Sequence, residues 1–184
     1  RTTIQNVMST VEIIDKGSGN AGGLVGYFGG NNGDGDAAYT PGSFIQNCAV
    51  YANITSTNGT VGGLVGGTWS GYQCWQINNC IYAGTVAGET VGAIIGTHNT
   101  GRDSTFKDTW YCANGTSEIV GKYNNDENGK NFNGYDDTVI SKTADQIATA
   151  EAANLLNTNS DGTSNVVWKY VEGEAAYPTL KIVN

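Results

Sequence analysis

Carboxylate side chains cluster in two Asn- and Gly-rich stretches of the sequence. The candidate calcium ligands are Asp34 and Asp36 in the first stretch, and Asp126, Asp136 and Asp137 in and after the second. Calcium prefers several oxygen ligands at close spacing, which such stretches supply. The residues after Asp126 do not follow the EF-hand spacing. Because Gly, Asn and Asp are also ordinary turn formers, solvated turns are the competing interpretation.

Three aromatic residues, Trp69, Tyr72 and Trp75, lie close together near Cys74. Aromatic faces stack on sugars and anchor protein interfaces, so this group is a candidate contact patch for a host or cell-surface glycan or protein. The alternative is that these rings pack against the body of the protein, because large aromatic side chains are usually well buried.

The residues needed for nucleophilic or zinc chemistry are sparse. His98 is the single histidine, and the four cysteines include no Cys-x-x-Cys pair, which disfavours a zinc site. A catalytic triad would have to use His98, and the sequence has no Gly-x-Ser-x-Gly elbow. Paired carboxylates for glycoside cleavage are the remaining enzymatic alternative. We therefore expect a protein that is not an enzyme and has no cofactor apart from the calcium considered above.

The overall composition narrows the classes of partner. The net charge is −8, which repels a phosphate backbone, so nucleic acid is an unlikely partner. No apolar run approaches the roughly 20 residues that a membrane-spanning helix needs. Charged residues make up only 14% of the chain, and 27 glycines indicate many tight turns between short strands. Polar sequences with so few charged residues are typical of exported β-rich proteins.

Internal repetition is the strongest signal in the chain. One motif, Gly-Gly-Leu-Val-Gly and its variants, occurs three times; a second, Ile-x-Asn followed by Val or Cys, precedes each occurrence. The glycine motifs are Ala21–Gly26, Val61–Gly66 and Val91–Gly96, and the preceding motifs are Ile4–Val7, Ile45–Cys48 and Ile77–Cys80. We place copies near 4–44, 45–76 and 77–105, with a degenerate copy at 106–121.

Alternating small or apolar residues after each Asn predict strands with one face inward. Stacked strands would place Cys48 above Cys80, as buried thiols rather than a disulfide, although Cys74 and Cys80 could also close a short loop. The repeated asparagines Asn6, Asn47 and Asn79 are expected to form turns. In the glycine motif, we expect the inward side chains to be Leu24, Leu64 and Ile94, with Val25, Val65 and Ile95 as the alternative set.

These motifs resemble the GLUG repeat family, of which Ile45–Cys48 followed by Gly62–Gly66 is the best match here. The third copy departs at Ala93 and Ile94, and the first has Val7 in place of Cys. The C-terminal part resembles the tail that closes such arrays, ending in Tyr177–Leu180. The resemblance implies a bacterial cell-surface or secreted protein of adhesin-like type, without implying a ligand.

The tail is expected to hold one helix, 142–157. Thr143 and Gln146 have the spacing of a capping box at its start. Val166–Val171 alternates and includes Trp168, so it is expected to be a strand, and a last strand follows Pro178. A stack of strands exposes its end edges, and this helix with Trp168 is the candidate end cap.

Together these patterns predict a mainly β chain: a right-handed parallel β-helix-like solenoid of three to four coils over 1–121, with a small α+β cap over 122–184. The expected function is a non-catalytic structural or adhesive module, secreted or on the bacterial surface, flanked by further repeats of a parent chain. The alternatives are an ancillary domain of a secreted peptidase or glycan-active enzyme, or a carbohydrate-binding module.

Overall fold

The fold is mostly β, with parallel sheets and two short helices. The structure, a computed structural model, describes residues 2–28, 43–68, 75–99, 105–124, 136–158 and 166–182. At this level the prediction of a mainly β chain with parallel strand pairing is confirmed.

The strands of the first two copies are short. They are β1 (Thr2–Gln5), β2 (Met8–Ser9), β3 (Ile13–Asp15), β4 (Asn20–Gly22), β5 (Val25–Phe28), β6 (Ser43–Gln46), β7 (Ala49–Val50), β8 (Ile54–Ser56), β9 (Thr60–Gly62) and β10 (Val65–Thr68). The next strands are β11 (Trp75–Ala87), β12 (Thr90–Gly92), β13 (Ile95–Asn99), β14 (Thr105–Asn114) and β15 (Val120–Asn124), of which β11 and β14 are much longer than the rest. The tail holds β16 (Ile140–Ser141), α1 (Ala144–Ile147), α2 (Ala150–Asn157), β17 (Val166–Lys169) and β18 (Thr179–Ile182).

Strands of successive copies pair in parallel and in register. Ile4 pairs with Ile45, Ile45 with Ile77, and Ile77 with Phe106. The largest sheet runs β1-β6-β11-β14-β16, with β2, β3, β7 and β8 attached to it. Two further parallel sheets run β15-β13-β10-β5 and β12-β9-β4, and β17 and β18 form an antiparallel pair. Neighbouring strands lie about 4.8 Å apart, so equivalent side chains form ladders across the copies.

In each copy, one residue near the start of the strands of the large sheet has a left-handed backbone. Asn6, Asn47, Asn79 and Asp108 have φ angles of 55°, 55°, 52° and 46°. Asn and Asp enter this region at lower cost than other residues with a side chain, because their short polar groups bond locally. This is the conformation expected of a turn-forming asparagine, and the fourth copy uses Asp108 in the same role.

The glycine motif turns a corner. The N–H groups of Leu64 and Val65 both donate to the carbonyl of Ile94, each at 3.0 Å, so the chain changes direction between them. Both side chains are fully buried as a result, and Ile94 and Ile95 repeat this in the next copy. The expectation that only one of these two sets is buried is therefore wrong for the second and third copies. Gly63 permits the close approach, because a Cβ there would lie 2.5 Å from the Tyr82 ring.

The tail contains two helices where one was predicted over 142–157. The capping box is present: Gln146 N–H donates to the Thr143 hydroxyl, and Thr143 N–H donates to the Gln146 side chain. The helix then ends at Ala148. Thr149 has an extended backbone and caps a second helix by accepting from Ala152 N–H at 3.2 Å. The single-helix prediction is wrong because this second cap residue competes with helix continuation.

The tail packs on the outer flank of the large sheet. A second core forms there: Ala49, Ile81, Ala83 and Trp110 from the sheet pack with Ile147, Ala152, Ala153, Leu156 and Trp168 from the tail. The indole N–H of Trp168 donates to the carbonyl of Asn47 at 3.2 Å. The prediction that the helix and Trp168 cap the end of the strand stack is therefore wrong. The two-residue strand β16 is the element that pairs with β14, on the side away from β11.

Candidate functional site

The structure describes one residue of the predicted aromatic patch, Trp75, and this residue is not exposed. Trp75 begins β11 and is fully buried, with its ring 6.2 Å from that of Phe28 and 5.3 Å from that of His98. This burial agrees with the alternative interpretation, in which the ring packs against the body of the protein, because an apolar ring of this size gains more from the interior than from solvent contact. Trp69 and Tyr72 lie outside the described residues.

His98 is part of this buried aromatic group rather than of a surface turn. It lies on β13, fully buried, and pairs with Tyr123, whose ring is 6.0 Å away. Burial disfavours the imidazolium form and lowers the pKa of His98 to about 4. At neutral pH it is an uncharged ring that fills space between aromatic neighbours.

The candidate calcium ligands are not brought together where the structure describes them. Asp136 and Asp137 are exposed, and Asp136 accepts a hydrogen bond from the N–H of Thr138 at 2.9 Å, which makes it a turn residue. That bond lowers the pKa of Asp136, while hydrogen bonding to Asp136 raises the pKa of Asp137. Within the described ranges, no three His, Cys, Asp or Glu side chains converge in a way that could hold a metal ion. Asp34, Asp36 and Asp126 lie outside those ranges.

The repeated cysteines line the interior as free thiols. Cys48 and Cys80 are fully buried, and each donates to the carbonyl two residues earlier, at 3.1 Å. Each also approaches a carbonyl of the preceding copy, Cys48 that of Ile4 at 3.6 Å and Cys80 that of Ile45 at 3.8 Å. Burial raises the pKa of the Cys80 thiol, so this position behaves as a small apolar residue. The prediction of buried thiols is confirmed for this pair, while Cys74 lies outside the described residues.

A cleft that the sequence did not reveal lies where the tail meets the flank of the first two copies. Its apolar half is a cavity of about 290 Å³. This cavity is lined by Met8, Thr10, Tyr51, Ala175, Ala176, Tyr177 and Thr179. The rings of Tyr51 and Tyr177 stack at 4.8 Å, which fixes the tail against the sheet. Burial raises the pKa of Tyr51, so its hydroxyl stays protonated.

The polar half of this cleft is a second cavity of about 280 Å³. It is lined by Thr10, Glu12, Tyr51, Ala52, Asn53, Ala83 and Gly84. Thr10 and Tyr51 belong to both linings, so the two cavities adjoin. The Asn53 side-chain oxygen accepts from the N–H of Thr85 at 3.0 Å, which holds its amide in place. We call the two cavities together the flank cleft.

Sequence reasoning missed the flank cleft because its two walls are far apart in the chain. One wall comes from the first three copies and the other from the turn before β18 and the start of β18. The only local signal was the Tyr-Pro-x-Leu ending at Leu180, which marks an ordered tail but not the surface on which that tail docks. The chemistry available in the cleft is one carboxylate, an amide, two threonine hydroxyls and two phenol rings, which suits binding by hydrogen bonds and stacking.

Comparison with known proteins adds no family assignment: no family model matches the chain, and no curated protein or solved structure matches it. Among the described residues, no helix has the length and apolar character needed to cross a membrane.

Proposed function

We propose that this chain is a non-catalytic structural or adhesive module of a secreted or cell-surface bacterial protein. In this proposal the copies wind as a right-handed β-helix-like solenoid of three to four coils, related to the GLUG repeats. The in-register ladders support the winding, since the same strand of each copy pairs with its counterpart in the next. The surface location rests on the polar composition with few charged residues and on the resemblance of the motifs.

The observation that carries the proposal is the open edge of the first copy. Strands β1, β4 and β5 each end the order of their sheet, so within the part of the chain that the structure describes they have a neighbour on one side only. Ile4, Ile13 and Leu24 are partly exposed, whereas their counterparts in the second copy, Ile45, Ile54 and Leu64, are fully buried.

Apolar side chains continue across the surface of the first copy. Val11 and Ile14 have relative exposures of 67% and 63%, and Val7 and Met8 are also exposed. An uncovered strand edge with apolar side chains is a template for a further strand. A further copy of the same repeat would meet matching residues there, so we infer that flanking repeats of a parent chain continue the stack.

The experiment adds one copy at this edge. Residue 2 pairs with residue 43, and residue 43 with residue 75, so residues 43–74 fused directly before Thr2 would enter in register. We expect the thermal midpoint to rise by about 5 °C, from roughly 2 kcal/mol of added interface stability. The N–H groups of β1 should also gain protection from hydrogen exchange.

The matched control is the same fusion with Ile45, Ile54 and Leu64 of the added copy replaced by Ser. This added segment has the same length but cannot fill the interior, so it should leave the midpoint unchanged. If the unaltered fusion neither raises the midpoint nor protects β1, the proposed stacking role is wrong.

A further inference from the structure

We propose that the flank cleft is a binding site for a neutral saccharide, with one or two sugar rings lying across its two cavities. The site is distinct from the aromatic patch predicted near Trp75, and it deepens the adhesive role in the proposed function. The two cavities, of about 290 and 280 Å³, together fall in the range of small-molecule sites.

The apolar half matches the C–H face of a sugar ring. Aromatic rings present flat apolar surface together with a polar tip, which is the combination used in sugar stacking. Tyr177 and Tyr51 supply two such rings, and Met8, Ala175 and Ala176 complete the apolar lining. An ordinary aliphatic pocket would not place phenol rings beside an open polar cavity.

The polar half matches the hydroxyl groups of a sugar. Glu12 contributes a carboxylate that accepts hydrogen bonds, Asn53 an amide, and Thr10 a hydroxyl that both donates and accepts. The backbone of Ala52 and Gly84 also lines this cavity. Sugar hydroxyls need several donors and acceptors at once, and this lining provides both.

Charge selects against acidic ligands. Among the described residues, the lining of both cavities contains no Lys or Arg and includes the carboxylate of Glu12, and the whole chain carries a net charge of −8. A phosphate, sulfate or uronic acid would meet repulsion here without a paired cation. The ligand class that fits is therefore an uncharged saccharide.

The cleft is preorganised, which reduces the entropy lost on binding. Ala83 belongs to β11, in the middle of the large sheet, and Thr179 pairs with Lys169 in the β17–β18 hairpin. The stacked tyrosine pair joins these two walls. The walls therefore hold their positions without help from a ligand.

The test is NMR titration of the intact chain with cellohexaose, mannohexaose and chitohexaose, and with polygalacturonate as an anionic probe. We expect at least one neutral hexasaccharide to shift the amide signals of Thr10, Glu12 and Asn53, and polygalacturonate to leave them unmoved. Thr10→Trp should weaken binding at least tenfold, because the indole would occupy the boundary of both cavities. Glu12→Gln should weaken it severalfold.

The matched control is Thr57→Trp, at an exposed threonine that lines neither cavity, which should bind like the unaltered chain. The proposal is overturned if none of the three hexasaccharides shifts these signals, if Thr10→Trp binds normally, or if polygalacturonate binds more tightly than they do. The fusion experiment measures the thermal midpoint and hydrogen exchange in the absence of sugar. The stacking proposal and the saccharide proposal can therefore fail independently of each other.

Discussion

The first and second copies have closely similar residues in their ladders, yet their surroundings differ. In the second copy Ile45, Ile54 and Leu64 are fully buried between two neighbours, whereas in the first copy Ile4, Ile13 and Leu24 have a neighbour on one side only. Sequence pattern fixes which side chains point inward, but adjacent copies determine how far they are removed from water. Stability in such an arrangement is a property of the interface between copies.

The largest expected effect tests this contrast directly. Ile45→Ala should lower the free energy of unfolding by about 4 kcal/mol, because it leaves a cavity in a fully buried ladder. Ile4→Ala removes the same atoms from a partly exposed site and should cost about 1 kcal/mol. Urea denaturation of the two variants measures both values. Equal losses would contradict the view that neighbours set burial.

The pH dependence of stability tests the effect of burial at an inner position, His98. His98 has a pKa of about 4 in the folded chain against 6.5 for an unperturbed histidine, so the unfolded chain binds the proton more readily between these values. Stability should therefore be intact above pH 6.5 and fall by roughly 3 kcal/mol as the pH drops to 4. Denaturation curves across this range measure the loss. In His98→Phe this part of the pH dependence should disappear, and its persistence would assign it to other groups.

The smallest effect compares equivalent glycines in the two copies, Gly19 and Gly59. A Cβ at Gly59 would lie 2.5 Å from the Ser56 hydroxyl and also strike the Gly19 carbonyl, whereas one at Gly19 meets nothing within 4 Å. Gly59→Ala should cost about 2 kcal/mol through overpacking. Gly19→Ala should be neutral or stabilise by about 0.5 kcal/mol, because it restricts the unfolded chain. The thermal midpoints of both variants provide the comparison. A lower midpoint for Gly19→Ala would show that the first copy is covered at Gly19.

Residue spacing was enough to predict the register of the strands. A shift of one residue would turn Cys48 and Val50 away from the interior, so the repeated pattern admits a single alignment. Parallel pairing, the left-handed asparagines and the capping box at Thr143 followed from the same local rules. These features depend on residues that are close in sequence or repeated at a fixed interval.

Those local rules did not predict where the tail packs or that the flank cleft forms. Ala49 and Ile81 point away from the interior, and sequence alone does not say that Trp168 and Leu156 will cover them. Trp75 was assigned to a surface patch because its partners, Phe28 and His98, belong to other copies. The break between the helices depends on Thr149, whose extended backbone was not distinguishable from a helical one by propensity. Apart from the helix break at Thr149, which is local, these misses concern contacts between distant segments.

Four strands, β5, β10, β13 and β15, end side by side. This arrangement affects how the chain can change in evolution. These four strands are neighbours in one sheet, and the segments that leave them, 29–42, 69–74, 100–104 and 125–135, differ in length while the ladders on either side stay aligned. Length differences between copies are accommodated at these strand ends, as they also are in the turns before β4, β9 and β12. New sequences can be tried there by duplication or drift without altering the pairing that holds the copies together.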